Sequence, residues 1–112
     1  MILITGPLFS GKTDYARSLL PAGADFSAAV CTDAQDLATG CTDLTALADE
    51  LAGRYAIVTI TEVGGGVVPT DPAQRAAREA AGRLGCLLAA RADTVVRVFC
   101  GLPLMLKGEL PQ

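Results

Sequence analysis

The chain has 112 residues, 51% of them hydrophobic, and carries a formal net charge of −3 with a sequence pI of about 4.7. Such a length suits one compact domain over residues 1–112, and the negative balance is the wrong sign for neutralising an extended phosphate backbone, which excludes nucleic acid as a partner class. There is no His, and Cys31, Cys41, Cys86 and Cys100 are scattered without a CxxC pair, which excludes a mixed zinc site and predicts buried thiols in a reducing compartment.

The N-terminus lacks a basic stretch followed by a long apolar one, and no segment approaches membrane-spanning length, so a soluble, cytoplasmic protein without a membrane partner is expected. With no Trp, two Tyr and three Phe, the core must come from Val, Ile, Leu and Ala. A core that thin predicts self-association into a homo-oligomer.

In chain order, Ile2-Leu3-Ile4-Thr5 is a short β-branched run stopped by Gly6, as expected of a buried first strand. Lys12 to Leu20 places Tyr15, Ala16, Leu19 and Leu20 at helical spacing before Pro21. Ala28 to Thr32 suggests a short strand ending at Asp33. Thr42 or Asp43 caps a helix to about Leu51, with Leu44, Leu47, Ala48 and Leu51 on one face and Gly53 as its stop. Tyr55 to Thr61 is the clearest interior strand, ending at Glu62. Gly64-Gly65-Gly66 marks a loop, and Asp71-Pro72 opens the longest helix, which runs to about Ala90. Thr94 to Phe99 is a last strand, followed by a short tail carrying Lys107. Apolar strands alternating with helices predict an α/β fold, a P-loop NTPase-like three-layer α/β/α arrangement with a small, mostly parallel sheet.

Gly6-Pro7-Leu8-Phe9-Ser10-Gly11-Lys12-Thr13 satisfies the phosphate-loop pattern G-x-x-x-x-G-K-[ST], and it lies between a predicted strand and a predicted helix, as that motif requires. The glycines let the loop curl so that successive N–H groups point at phosphate oxygens, and the helix N-terminus adds its positive end. Lys12 would reach the β and γ phosphates of a purine nucleoside triphosphate, GTP or ATP, and the Thr13 hydroxyl would coordinate Mg²⁺. A second acid is expected near the metal, and Asp33 and Glu62 both end predicted strands, where ligands gather in parallel sheets.

From Thr61 onward the sequence resembles the C-terminal half of the bifunctional adenosylcobinamide kinase and adenosylcobinamide-phosphate guanylyltransferase family. Glu62-Val63-Gly64-Gly65-Gly66-Val67-Val68-Pro69 is similar to that family's E-V-G-x-G-[IV]-V-P segment. Arg75, Arg78, Ala81-Gly82-Arg83, Ala92-Asp93, Gly101-Leu102-Pro103 and Lys107 follow in matching order. With the phosphate loop, the resemblance covers about two thirds of the chain. It implies a corrinoid substrate, a catalytic role for Lys12 and Glu62, Mg²⁺ held by Thr13 and Glu62, and a ring-like or trimeric assembly with sites between subunits.

The departures define what to expect of this chain. Phe9 stands where the family carries an Arg, Gly85-Cys86 where it carries Asn-Gln, and the middle segment is drastically shortened. The family's transiently guanylylated histidine lies in that segment, and this sequence has none. A phosphoramidate intermediate needs an imidazole, so guanylyl transfer by that route is not expected. Phosphoryl transfer needs only positioning and charge stabilisation, and Glu62 or Asp33 would serve as proton acceptor or metal partner. The competing expectation is a non-catalytic nucleotide-binding sensor or assembly protein. The Gly64-Gly65-Gly66 loop either lets a corrinoid or a neighbouring subunit approach closely or simply turns the chain. Arg75, Arg78 and Arg83 either pair with phosphates or form a solvated helix face.

Overall fold

A computed structural model describes residues 1–62 and 71–109. The elements run β1 (Ile2–Gly6), α1 (Lys12–Ser18), α2 (Phe26–Ala29), β2 (Val30–Cys31), α3 (Gln35–Ala38), α4 (Leu44–Arg54), β3 (Ile57–Thr61), α5 (Pro72–Arg91), β4 (Thr94–Phe99) and β5 (Leu102–Lys107). Their strands form one sheet in the order β2-β3-β1-β4-β5, parallel throughout except for the antiparallel β4–β5 pair. The expected α/β architecture with a mostly parallel sheet is what the chain adopts.

Two apolar clusters explain the three layers. Leu3, Val58, Ile60 and Val95 point to one face and pack with Ala38 of α3, Ala48 and Leu51 of α4, and Leu84 and Leu88 of α5. Ile4, Ile57, Val96 and Val98 point to the other and pack with Ala16 of α1, with Tyr15, Leu19 and Phe26 alongside. Alternation along each strand sends neighbouring residues to opposite helical layers, which is why the strands read as continuous apolar runs. α4 and α5 are tied together where Arg91 reaches Asp49, and each helix starts on an aspartate: Asp43 accepts from the Ala46 N–H at 3.0 Å and Asp71 from the Ala73 N–H at 2.9 Å.

Several expectations need correction. Ala28 and Ala29 belong to α2, capped by Asp25, so the second strand is only Val30–Cys31. Apolar alternation cannot separate a helical turn from a strand over so few residues. Gly53 does not stop its helix but lies within α4, which ends at Arg54. Of the thiols only Cys31 is buried; Cys86 and Cys100 are exposed and Cys41 half-buried. The C-terminal tail forms a six-residue strand, β5, joined to β4 by Cys100 (φ 52°) and Gly101 (φ 75°). Positive φ at both central residues is the type I′ hairpin signature, and Pro103 is tolerated because β5 is an edge strand. Lys107 on that strand donates to the Ala89 and Ala90 carbonyls at the end of α5. The Gly64-Gly65-Gly66 loop lies outside the described residues.

Candidate functional site

β1 occupies the sheet centre, flanked by β3 and β4, and delivers Gly6 to the carboxyl edge with Thr61 and Arg97 on either side. Gly6 is obligatory: a Cβ there would collide with the Val98 backbone carbonyl and stand 2.8 Å from Ser10 Oγ. The loop then closes on itself through the Ser10 N–H to the Pro7 carbonyl at 3.2 Å, while the Gly101 N–H at the β4–β5 turn donates to the Ser10 carbonyl at 2.8 Å. Gly11 (φ 94°) caps α1 in the left-handed region and packs 3.4 Å from the Gly101 Cα when given a Cβ, so the hairpin braces the loop from outside. Phe9, at φ 59°, is 94% exposed, and Leu8 beside it is exposed too.

Leu8, Phe9, Ser10, Gly11, Lys12 and Thr13 line a cleft of about 420 Å³, together with Asp14, Asp33 and Thr61. Lys12 is only 7% exposed, and its ammonium donates to the Pro7 carbonyl at 2.7 Å. Burial pushes its pKa below the ordinary lysine value, and the Asp33 and Glu62 carboxylates pull it back up. Ser10 Oγ and Thr61 Oγ1 are buried without a hydrogen-bond partner among the described residues. Unpaired buried hydroxyls are uncommon in folded proteins, and both residues line this cleft. The Thr13 hydroxyl and the Asp33 carboxylate in the same cleft are hard oxygen donors, and they suit Mg²⁺, which takes one or two protein oxygens and completes its shell with phosphate oxygens and water.

The two candidate acids are placed differently. Asp33 adopts φ 55°, which Asp tolerates better than most residues, and its backbone N–H donates to Thr59 Oγ1 at 3.1 Å. Gln35 holds that corner: its amide nitrogen donates to Asp33 Oδ1 at 3.4 Å and its amide oxygen accepts from the Thr61 N–H at 2.9 Å. Glu62 follows β3, with its N–H donating to the Gly6 carbonyl at 2.8 Å. Its carboxylate faces Arg97 of β4 through two bonds, Nε to Oε1 at 2.6 Å and a terminal nitrogen to Oε2 at 3.0 Å. The pair therefore spans the end of β1. Hydrogen bonding to Arg97 holds the Glu62 carboxyl below the ordinary glutamate range against the opposing cost of burial, with further pull from the Arg97 and Lys12 charges.

Arg97 and Gln35 were not among the expected site residues. Arg97 had a signal, as the one charge interrupting the apolar run Thr94 to Phe99; Gln35 had none, because α3 is only four residues long. Arg97→Gln is expected to raise the Glu62 pKa toward its ordinary value, visible as an upward shift in the carboxyl-carbon NMR titration of Glu62. The sign follows from linkage. A depressed carboxyl pKa stabilises the fold above the unfolded value, and that contribution is lost as pH falls through the folded pKa, so the variant should lose stability near neutral pH and little in acid. An unshifted titration would show that the ion pair does not set the charge on Glu62.

No helix among the described residues is long and apolar enough to cross a membrane. No curated protein matches the chain. Residues 25–106, which hold Asp33, Glu62 and Arg97 but begin after the phosphate loop, match the family of cobinamide kinase / cobinamide phosphate guanyltransferase. With the match spanning most of the sequence and a nucleotide-type loop seated at the centre of a parallel sheet, the chain belongs to the cobinamide kinase / cobinamide phosphate guanyltransferase family.

Proposed function

We propose that this chain is a single-domain phosphotransferase of cobalamin biosynthesis, which moves the terminal phosphate of GTP or ATP to a side-chain hydroxyl of adenosylcobinamide. The observation that carries the reading is Lys12, buried on the floor of the phosphate cleft with two acids, Asp33 and Glu62, within electrostatic reach. A lysine desolvated among carboxylates at a glycine loop has a clear use in neutralising transferred phosphate charge and little use in stability, since burying it is costly.

The roles follow from position. The loop N–H groups and the α1 N-terminus hold the β and γ phosphates, and Lys12 stabilises charge on the γ-phosphoryl oxygens as they separate. Thr13 and Asp33 would hold a Mg²⁺ ion, which would supply neutralisation of the phosphate charge. Glu62 orients the acceptor hydroxyl and takes its proton. The acceptor oxygen bonds to the γ phosphorus while the β–γ bridging bond breaks, and that electron pair leaves on the nucleoside diphosphate. A carboxylate kept ionised by Arg97 is a weak base, which suffices because phosphoryl transfer through a loose transition state asks for positioning more than for deprotonation.

Guanylyl transfer through a histidine is left out of this reading because the sequence contains no His. The non-catalytic alternative leaves Glu62 only its ion pair with Arg97 and gives it no acceptor hydroxyl to orient. Incubation of the protein with cobinamide, Mg²⁺ and either GTP or ATP, followed by mass spectrometry, tests the proposal. Cobinamide phosphate is the expected product; a nucleotide-linked corrinoid would contradict it.

A further inference from the structure

A second cleft, of about 340 Å³, opens on the α5 face of the sheet. Its floor is Leu3, Ile60 and Val95; its wall is the α5 stretch of Gly82, Gly85 and Ala89, with Leu106 of β5 at the side. Glu62 stands on its rim, and Thr61 lines both this cleft and the phosphate cleft. Alternation at the end of β3 thus separates two environments: the phosphate loop on one side of the sheet edge, and an apolar hollow beneath an ionised carboxylate on the other.

We infer that this α5-face cleft is the acceptor subsite, taking the flexible, largely aliphatic arm that carries the hydroxyl to be phosphorylated. The inference rests on the kinase reading above and adds where the second substrate sits and which residues select it. Three observations point there. Thr61, 7% exposed and with an unpartnered buried hydroxyl, joins the hollow to the phosphate site. Glu62, fixed by two bonds from Arg97, faces the hollow's mouth, within reach of the charge field of Lys12. The wall is made of small residues, Ala81, Gly82, Gly85, Cys86 and Ala89, and its glycines leave room: a Cβ on Gly82 meets nothing within 4 Å, and one on Gly85 meets only Ile60 Cδ1 at 3.6 Å. A hollow of this volume holds a short arm and excludes a macrocycle, so the ring would lie outside on the exposed surface. In the transfer, the arm's O–H gives its proton to Glu62 and its oxygen replaces the nucleoside diphosphate on the γ phosphorus.

Filling the hollow tests this. Gly85→Leu projects into it from α5, and Leu106→Trp narrows it from the exposed edge strand, where a substitution leaves the core intact. With cobinamide as the acceptor and a fluorescent GTP analogue as the probe of folding and of the phosphate site, both variants should raise the KM for cobinamide by roughly tenfold or more while the analogue binds as in the unmodified protein. Should Gly85→Leu fail to fold, Leu106→Trp carries the same expectation. Variants that bind the analogue normally and keep the original KM for cobinamide would overturn the acceptor subsite and leave the kinase intact. An unmodified protein that binds the analogue yet forms no cobinamide phosphate would instead overturn the kinase reading, and the subsite with it.

Discussion

Lys12→Ala is expected to lower phosphoryl transfer by at least about 10²-fold, the order seen when one charge-stabilising donor is removed from a preorganised site. The ammonium is buried, donates to the Pro7 carbonyl, and is flanked by the phosphate loop and the Asp33 carboxylate, and among the described residues no other cation lines the cleft. Removing it also relieves the cost of burying a charge, so the variant should fold at least as well as the parent. Activity and stability should therefore move apart. A calorimetric scan beside the rate measurement checks this, and a variant that loses both together would indicate that Lys12 serves the fold.

The largest effect on stability is expected at Leu88. It is fully buried where α5 meets the sheet, in a core otherwise assembled from Val, Ile, Ala and a few Leu. Leu88→Ala removes its packing and leaves a cavity, at a cost of about 2–5 kcal/mol. Domains of this size are stable by roughly 5–15 kcal/mol, so urea unfolding should move to a much lower midpoint with an unchanged slope. A midpoint shift corresponding to well under about 1 kcal/mol would mean that the helical layer closes over the gap, contrary to native packing density.

How much of this could be read from the chain depended on how local the cause was. β1, the phosphate loop and the start of α1 are encoded within one short stretch, where strand, glycines and lysine follow in fixed order. α5 was equally legible, because Asp71 and Pro72 state its beginning and a long run of helix formers states its body. β5 was missed although its signal is local: Cys100-Gly101 is a two-residue turn with glycine at its second position, hidden by an exposed strand with no apolar-polar alternation. The short α2 and α3 were missed because four residues carry no periodicity.

The site divided in the same way. Loop residues were found from spacing, and both acids from their places at strand ends. What spacing could not supply was the partner of each acid. Glu62 and Arg97 are 35 residues apart and meet only because β3 and β4 flank β1, a fact of strand order. Gln35 joins Asp33 to Thr61 across 26 residues for a similar reason, through the crossover that sets β2 beside β3. These pairings assign the two acids different surroundings, Asp33 in the phosphate cleft and Glu62 over the apolar hollow, where the sequence left them interchangeable.

Transfer by this chain is tested by following the terminal phosphate itself. Purified protein is mixed with Mg²⁺, cobinamide and GTP or ATP labelled at the γ position, and the label is located after a single turnover. Label on the corrinoid, dependent on Lys12, is the expected result. Label that stays on the nucleotide, or appears only as inorganic phosphate whether or not cobinamide is present, would contradict it.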